Sequence, residues 1–115
     1  MKIVEIKALR GPNYWSIRRG KLIQMKLDLE EMEQRPTNKI EGFRENLEKV
    51  LPTLYEHRCS ELKPGGFFER VEEGTWMGHV IEHVALELQT LAGMDMGFGR
   101  TRGTGKEGEY YVVFD

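Results

Sequence analysis

His79, Glu82 and His83 spell H-x-x-E-H, the reverse of the zinc-peptidase H-E-x-x-H. They fall in Gly74–Leu88, a stretch that reads as the N-terminal half of a long helix running to about Ala92. At about 100° per residue, His79 and His83 lie roughly 40° apart on one helical face. Two imidazoles so placed can grip a single metal ion, and Glu82 beside them is placed to handle a proton. Met77, Val80, Ile81, Val84, Leu88 and Leu91 form an apolar stripe on almost the opposite side. The pattern therefore assigns core burial and chemistry to different faces. Leu86 on the histidine face implies that another segment partly covers it.

A catalytic zinc site needs a third protein ligand and keeps its fourth position for water. Cys59 is the first candidate, because a thiolate is a good zinc ligand and no second cysteine competes for it. A buried, inert thiol is the plainer reading of the same residue. His57, two residues away, and Glu87, one turn after His83, are the alternatives. A purely structural zinc site would need a fourth protein ligand as well. Four arginines, Arg18, Arg19, Arg100 and Arg102, can each hold a carboxylate through two parallel hydrogen bonds, or serve as ordinary surface charge. Gly97–Gly103 resembles a phosphate-binding loop only loosely. No Walker-type lysine follows it, so a glycine-rich hairpin is the better reading.

The elements that must position these residues can be read along the chain. Residues 2–9 alternate as a strand, with Val4, Ile6 and Ala8 on one side, and Arg10-Gly11-Pro12-Asn13 breaks it. Tyr14, Trp15 and Ile17 should return the chain to the core, and residues 21–29 form a second strand. Glu30–Gln34 reads as a short helical turn. Glu41–Leu51 is an amphipathic helix carrying Phe43, Leu47, Val50 and Leu51, and a short helix carries Phe67, Phe68 and Val71. Thr75 is the expected N-cap of the site helix, and Gly93 its C′ residue. Gly97–Thr104 and Gly108–Phe114 form a hairpin about Gly105-Lys106-Glu107. The expected fold is a single α+β domain over residues 1–115: a small antiparallel sheet from an N-terminal strand pair and a C-terminal hairpin, around a helical middle.

Composition narrows the function classes. The chain has 115 residues, 31% of them charged, and a net charge of -2, so bulk electrostatics do not call for nucleic acid. Residues 1–26 hold seven Lys or Arg against one Glu, an asymmetry suited to an anionic partner or to a solvated basic edge. No apolar run approaches the ~20 residues of a membrane span. The start of the chain lacks the apolar core of a signal peptide, and one cysteine permits no internal disulfide, so a cytoplasmic setting is expected.

Several long motifs resemble the N-terminal domain of cyanophycin synthetase: Arg10-Gly11-Pro12-Asn13-Tyr14-Trp15-Ser16-Ile17-Arg18-Arg19, Glu56-His57-x-Cys59-Ser60, Gly78-His79-x-x-Glu82-His83-Val84-Ala85-Leu86-Glu87-Leu88-Gln89 and Gly97-Phe98-Gly99-Arg100-Thr101. The resemblance covers essentially the whole chain. It implies a setting beside an ATP-grasp domain and a Mur-ligase-like domain, which add Asp and Arg to a polymer with a poly-aspartate backbone and arginine side groups. Neither of those two domains has a counterpart in these residues, so the chain is either an excised domain or a free-standing relative. For the domain itself the resemblance implies binding of the polymer. In some members it also implies a metal-dependent hydrolase site that cuts polymer into shorter primers, falling here on His79, Glu82 and His83 with Cys59 near it. The expectation is a cyanophycin-binding, zinc-dependent peptidase. The alternative is a non-catalytic module that anchors the polymer.

Overall fold

A computed structural model describes residues 1–17, 20–57, 63–94 and 99–115. Four strands, β1 (Lys2–Gly11), β2 (Gly20–Asp28), β3 (Gly99–Gly103) and β4 (Glu109–Phe114), form one antiparallel sheet in the order β1-β2-β4-β3. The two sequence-local hairpins therefore join through β2 and β4, with Met25 opposite Val112 and Leu27 opposite Tyr110. On the far side of β4, Thr101 of β3 stands opposite Val112. Between the hairpins lie three helices, α1 (Phe43–Val50), α2 (Gly66–Glu73) and α3 (Met77–Leu91), with 3₁₀ turns at Glu30–Gln34, Thr37–Lys39 and Pro52–Glu56. The α+β expectation, with its antiparallel sheet and helical middle, is met. No helix among the described residues is long and apolar enough to cross a membrane.

The core gathers Leu54, Phe67, Phe68, Val71 and Val80, with Phe43, Leu47, Leu51, Met77 and Val84 packed around them. Buried Thr37 ties the helical layer together. Its hydroxyl donates to the Val71 carbonyl at 2.6 Å and accepts from the Thr75 amide at 3.0 Å, and its own amide donates to the Thr75 carbonyl. The turn from α2 into α3 passes through Gly74 at φ +118°, a conformation that L side chains rarely adopt. A Cβ there would also stand 2.8 Å from the Asn38 side chain, which donates to the Glu73 carbonyl.

Helices cover the β4–β3 end of the sheet, so Val4 and Ile6 on the outer strand β1 are exposed. Two local expectations are corrected. Tyr14 and Ile17 do not return to the core and are 91% and 93% exposed. Trp15 alone turns back, meeting the Tyr111 ring edge-on and donating its indole N–H to Gln24 Oε1 at 2.9 Å. The second concerns α3, whose histidine side is covered as Leu86 implied but whose apolar stripe is not wholly buried. Glu82, His83, Leu86 and Glu87 are buried, whereas Leu88 and Leu91 of the apolar stripe are 53% and 58% exposed. The sheet contacts the helix along Gly78 and Glu82, so only the early part of the apolar stripe reaches the core.

Phe67 is fully buried at the meeting point of the core and the α3 histidines. Phe67→Ala should lower unfolding free energy by about 3–5 kcal/mol, the usual cost of deleting a buried phenyl ring. Urea denaturation of the metal-free protein measures it, and a loss under about 1 kcal/mol would show that the ring is dispensable to the core.

Candidate metal centre

Two turns of α3 bring His79, Glu82 and His83 together, with one candidate ligand atom from each lying within 4.8 Å of the others. Glu82 and His83 are buried, at 7% and 9% exposure. Two imidazoles and a carboxylate supply nitrogen and oxygen donors of the kind that divalent transition metals take, so this group could hold a metal.

Each imidazole has one nitrogen engaged by a neighbour. The Thr75 hydroxyl, one turn before His79, lies 3.0 Å from its Nδ1. This replaces the capping role expected of Thr75: the N-cap position is Trp76, which makes no side-chain cap bond. His83 Nδ1 lies 2.9 Å from Nδ1 of His57, whose Nε2 is 2.6 Å from Glu87 Oε2. The Thr53 hydroxyl donates to the other Glu87 oxygen. Phe67 stacks on the His83 ring, centroids 4.3 Å apart at 27°, and meets His79 edge-on at 5.9 Å. Such packing and outer hydrogen bonds fix ring orientation, as a metal site requires.

Glu82 is held by β3. The Thr101 hydroxyl donates to its Oε1 at 3.1 Å and lies 3.4 Å from the Gly78 carbonyl. Two glycines allow this approach. A Cβ on Gly99 would stand 2.7 Å from Glu82 Cγ, and one on Gly78 would stand 3.1 Å from the Thr101 methyl. The strand thus lies close enough to exclude water from the carboxylate.

Burial dominates the electrostatics. Desolvation pushes Glu82 up to about 7, although the Thr101 hydrogen bond and the charges of Arg102 and Arg100 pull it down. Burial lowers His83 to about 3, helped by the neighbouring imidazoles of His79 and His57. His79 is lowered too, by burial first and then by Arg70. Both histidines are therefore neutral at pH 7, the form that binds metal. Glu82 stands near the pH at which a carboxylate can both take and return a proton.

The structure joins the three motif residues as their spacing predicts, and two of the candidate third ligands adjoin them through His57, whose Nδ1 contacts His83. His57 and Glu87 bond to each other behind His83. Cys59, Arg18 and Arg19 lie outside the described residues. Arg100 and Arg102 are exposed on β3 and flank Thr101, so strand alternation directs them to the other face of the strand. Thr53, Thr75, Thr101 and Phe67 went unrecognised as site residues. Thr75 carried a usable signal, a hydroxyl four residues before His79. The other three arrive from separate elements and left none.

The raised Glu82 gives a signed pH dependence. Between pH 4.5 and 7 the unfolded chain releases this proton while the folded chain keeps it. Stability from this group is therefore full below 4.5 and is lost as pH rises, by up to about 3 kcal/mol. His83 acts oppositely, with stability falling as pH drops from 6.5 towards 3. Glu82→Gln keeps the oxygen that accepts from Thr101 and removes only the first slope. In metal-free protein its stability relative to wild type should rise from pH 4.5 to 7. A difference that stays constant with pH would show Glu82 titrating as an ordinary carboxylate.

Comparison with known proteins gives the family. Residues 24–115 match the family described as the cyanophycin synthase-like N-terminal domain. Over its whole length the chain is 64% identical to a cyanophycin synthetase of Geminocystis herdmanii, 62% to one of a Synechocystis species and 61% to one of Crocosphaera subtropica. It spans 13% of the length of each of these relatives. On a match covering residues 24–115, the chain belongs to the cyanophycin synthase-like N-terminal domain family.

Proposed function

We propose that this chain is a cytoplasmic cyanophycin-binding domain with a metallopeptidase site that hydrolyses the polymer into shorter chains usable as primers. The observation that carries the reading is the His79–Glu82–His83 group on α3, in which Nδ1 of each imidazole is engaged by a neighbour and the carboxylate is held by Thr101. The printed name of the relatives, cyanophycin synthetase, supports the choice of polymer. His79 and His83 would hold zinc, with Cys59 as third ligand. When bound, zinc supplies an acidified water and a Lewis acid for the scissile carbonyl. Glu82 takes a proton from the attacking water and returns it to the leaving amine as the C–N bond breaks. Thr101 holds the carboxylate in place for both transfers. Arg18, Arg19, Arg100 and Arg102 are assigned to the carboxylates of the polymer.

The relatives' printed name, a synthetase, supports a second reading, a non-catalytic module that anchors the polymer beside ATP-grasp and Mur-ligase-like domains. Incubation of the purified chain with cyanophycin, with zinc or with chelator, separates the two, chain length being followed by gel electrophoresis. Zinc-loaded wild type should shorten the polymer and chelator should stop it. Glu82→Gln should keep its zinc and cut at least about 10²-fold more slowly. His79→Ala should lose zinc and cutting together. Retention of uncut polymer by zinc-loaded wild type would establish the anchoring reading instead.

Neutralising Arg100 and Arg102 together with Arg18 and Arg19 should weaken polymer binding and flatten its dependence on salt, since exposed charges are screened. Unchanged affinity at low and high ionic strength would take these arginines out of the polymer site.

A further inference from the structure

We infer that Thr53, Glu87 and His57 form a positioning relay that sets the tautomer of His83 and so makes its Nε2 available to a metal. The inference rests on the metal reading proposed above and assigns a role to residues outside the ligand set.

The direction of the relay follows from which atoms can donate. The Thr53 hydroxyl donates to Glu87 Oε1, so that carboxylate oxygen is an acceptor. Glu87 Oε2, 2.6 Å from His57 Nε2, accepts in turn from an N–H on that nitrogen. In the neutral form of His57 the single proton sits on Nε2 and Nδ1 holds a lone pair. In that form the 2.9 Å contact with His83 Nδ1 has His83 donating. With its proton on Nδ1, His83 has an unprotonated Nε2, and the lone pair on that atom can bind a metal. A reversed relay, with His57 donating from Nδ1, would place the His83 proton on Nε2 and block it.

At 2.9 Å the two Nδ1 atoms are at hydrogen-bond distance, which places His57 as a partner of the ligand. Its ring is held among those of His83 and Phe67, with centroids 5.1 and 6.3 Å away. Glu87 is buried in turn, on the same helix as His83 and one turn further along. Its carboxylate reaches His83 through His57, which comes from the segment after the Pro52–Glu56 turn.

The test uses the metal-free chain and zinc alone. Two-bond proton–nitrogen correlation spectra resolve the tautomers of its three histidines. Wild type should show His83 protonated on Nδ1 and His57 on Nε2. Glu87→Ala should leave His57 a mixture of tautomers and His83 with it. Zinc affinity, measured by competition with a fluorescent chelator, should fall about 10–100-fold in Glu87→Ala and in His57→Phe, the usual cost of losing an outer-shell partner. The double variant should lose no more than His57→Phe alone, because Glu87 acts through His57. A wild-type spectrum with His83 protonated on Nε2 overturns the inference without needing any variant to fold. Variants that bind zinc as wild type does also overturn it and leave the metal reading standing. Failure of wild type to take up zinc overturns the metal reading itself.

Discussion

A carboxylate and two imidazoles buried on one side of a helix persist only if their polar atoms find partners, because an unpaired buried group costs more than a hydrogen bond returns. That requirement draws in elements far apart in the chain. Thr101 comes from β3, Thr75 from the loop before α3, and the His57–Glu87–Thr53 series from the turn after α1 and the far end of α3. The helix could not carry these groups on a solvated face with the same effect. Water would return Glu82 to an ordinary carboxylate, and the rings would turn freely.

The sequence showed the cluster because a metal-type motif on a helix obeys one number, the residues per turn. It showed the hairpins and the amphipathic helix for the same reason, since each is a local period. What it missed depends on contacts between elements. Gly99 looked like one member of a glycine-rich hairpin, yet its lack of a side chain lets β3 approach Glu82. The residue type of His57 suits a metal ligand, but the Glu87 carboxylate and the His83 ring engage both of its nitrogens. The stripe of Leu88 and Leu91 looked like the core face because they are leucines. Nothing in their spacing told which side of α3 the sheet would cover.

Coverage of the sheet is lopsided, and this explains the outer strand. The helical layer is spent on β4 and β3, against which α3 packs, and β1 is left with Ile3, Val4 and Ile6 exposed. Its alternation makes it a strand, but a strand pattern alone does not create a neighbour to bury it. β2 resolves the competition. It pairs with β1 on one edge and with β4 on the other, so its Leu27 is fully buried while the strand beside it is not.

The strand order also has a consequence for how the chain is assembled. β4 is inserted between β2 and β3, so the two hairpins become one sheet only when residues 109–114 have docked. Until then β2 has a bare inner edge, and β3 has nothing to lie beside as it closes over α3. A nascent chain that has emerged as far as α3 already carries both imidazoles and the carboxylate, but not the hydroxyl that holds that carboxylate or the strand that dries it. Pairings so distant along the chain form late, since loop closure must precede any return from the contact. The histidine helix thus precedes along the chain the strands that seal it, and completion of the sheet brings Thr101 to its carboxylate.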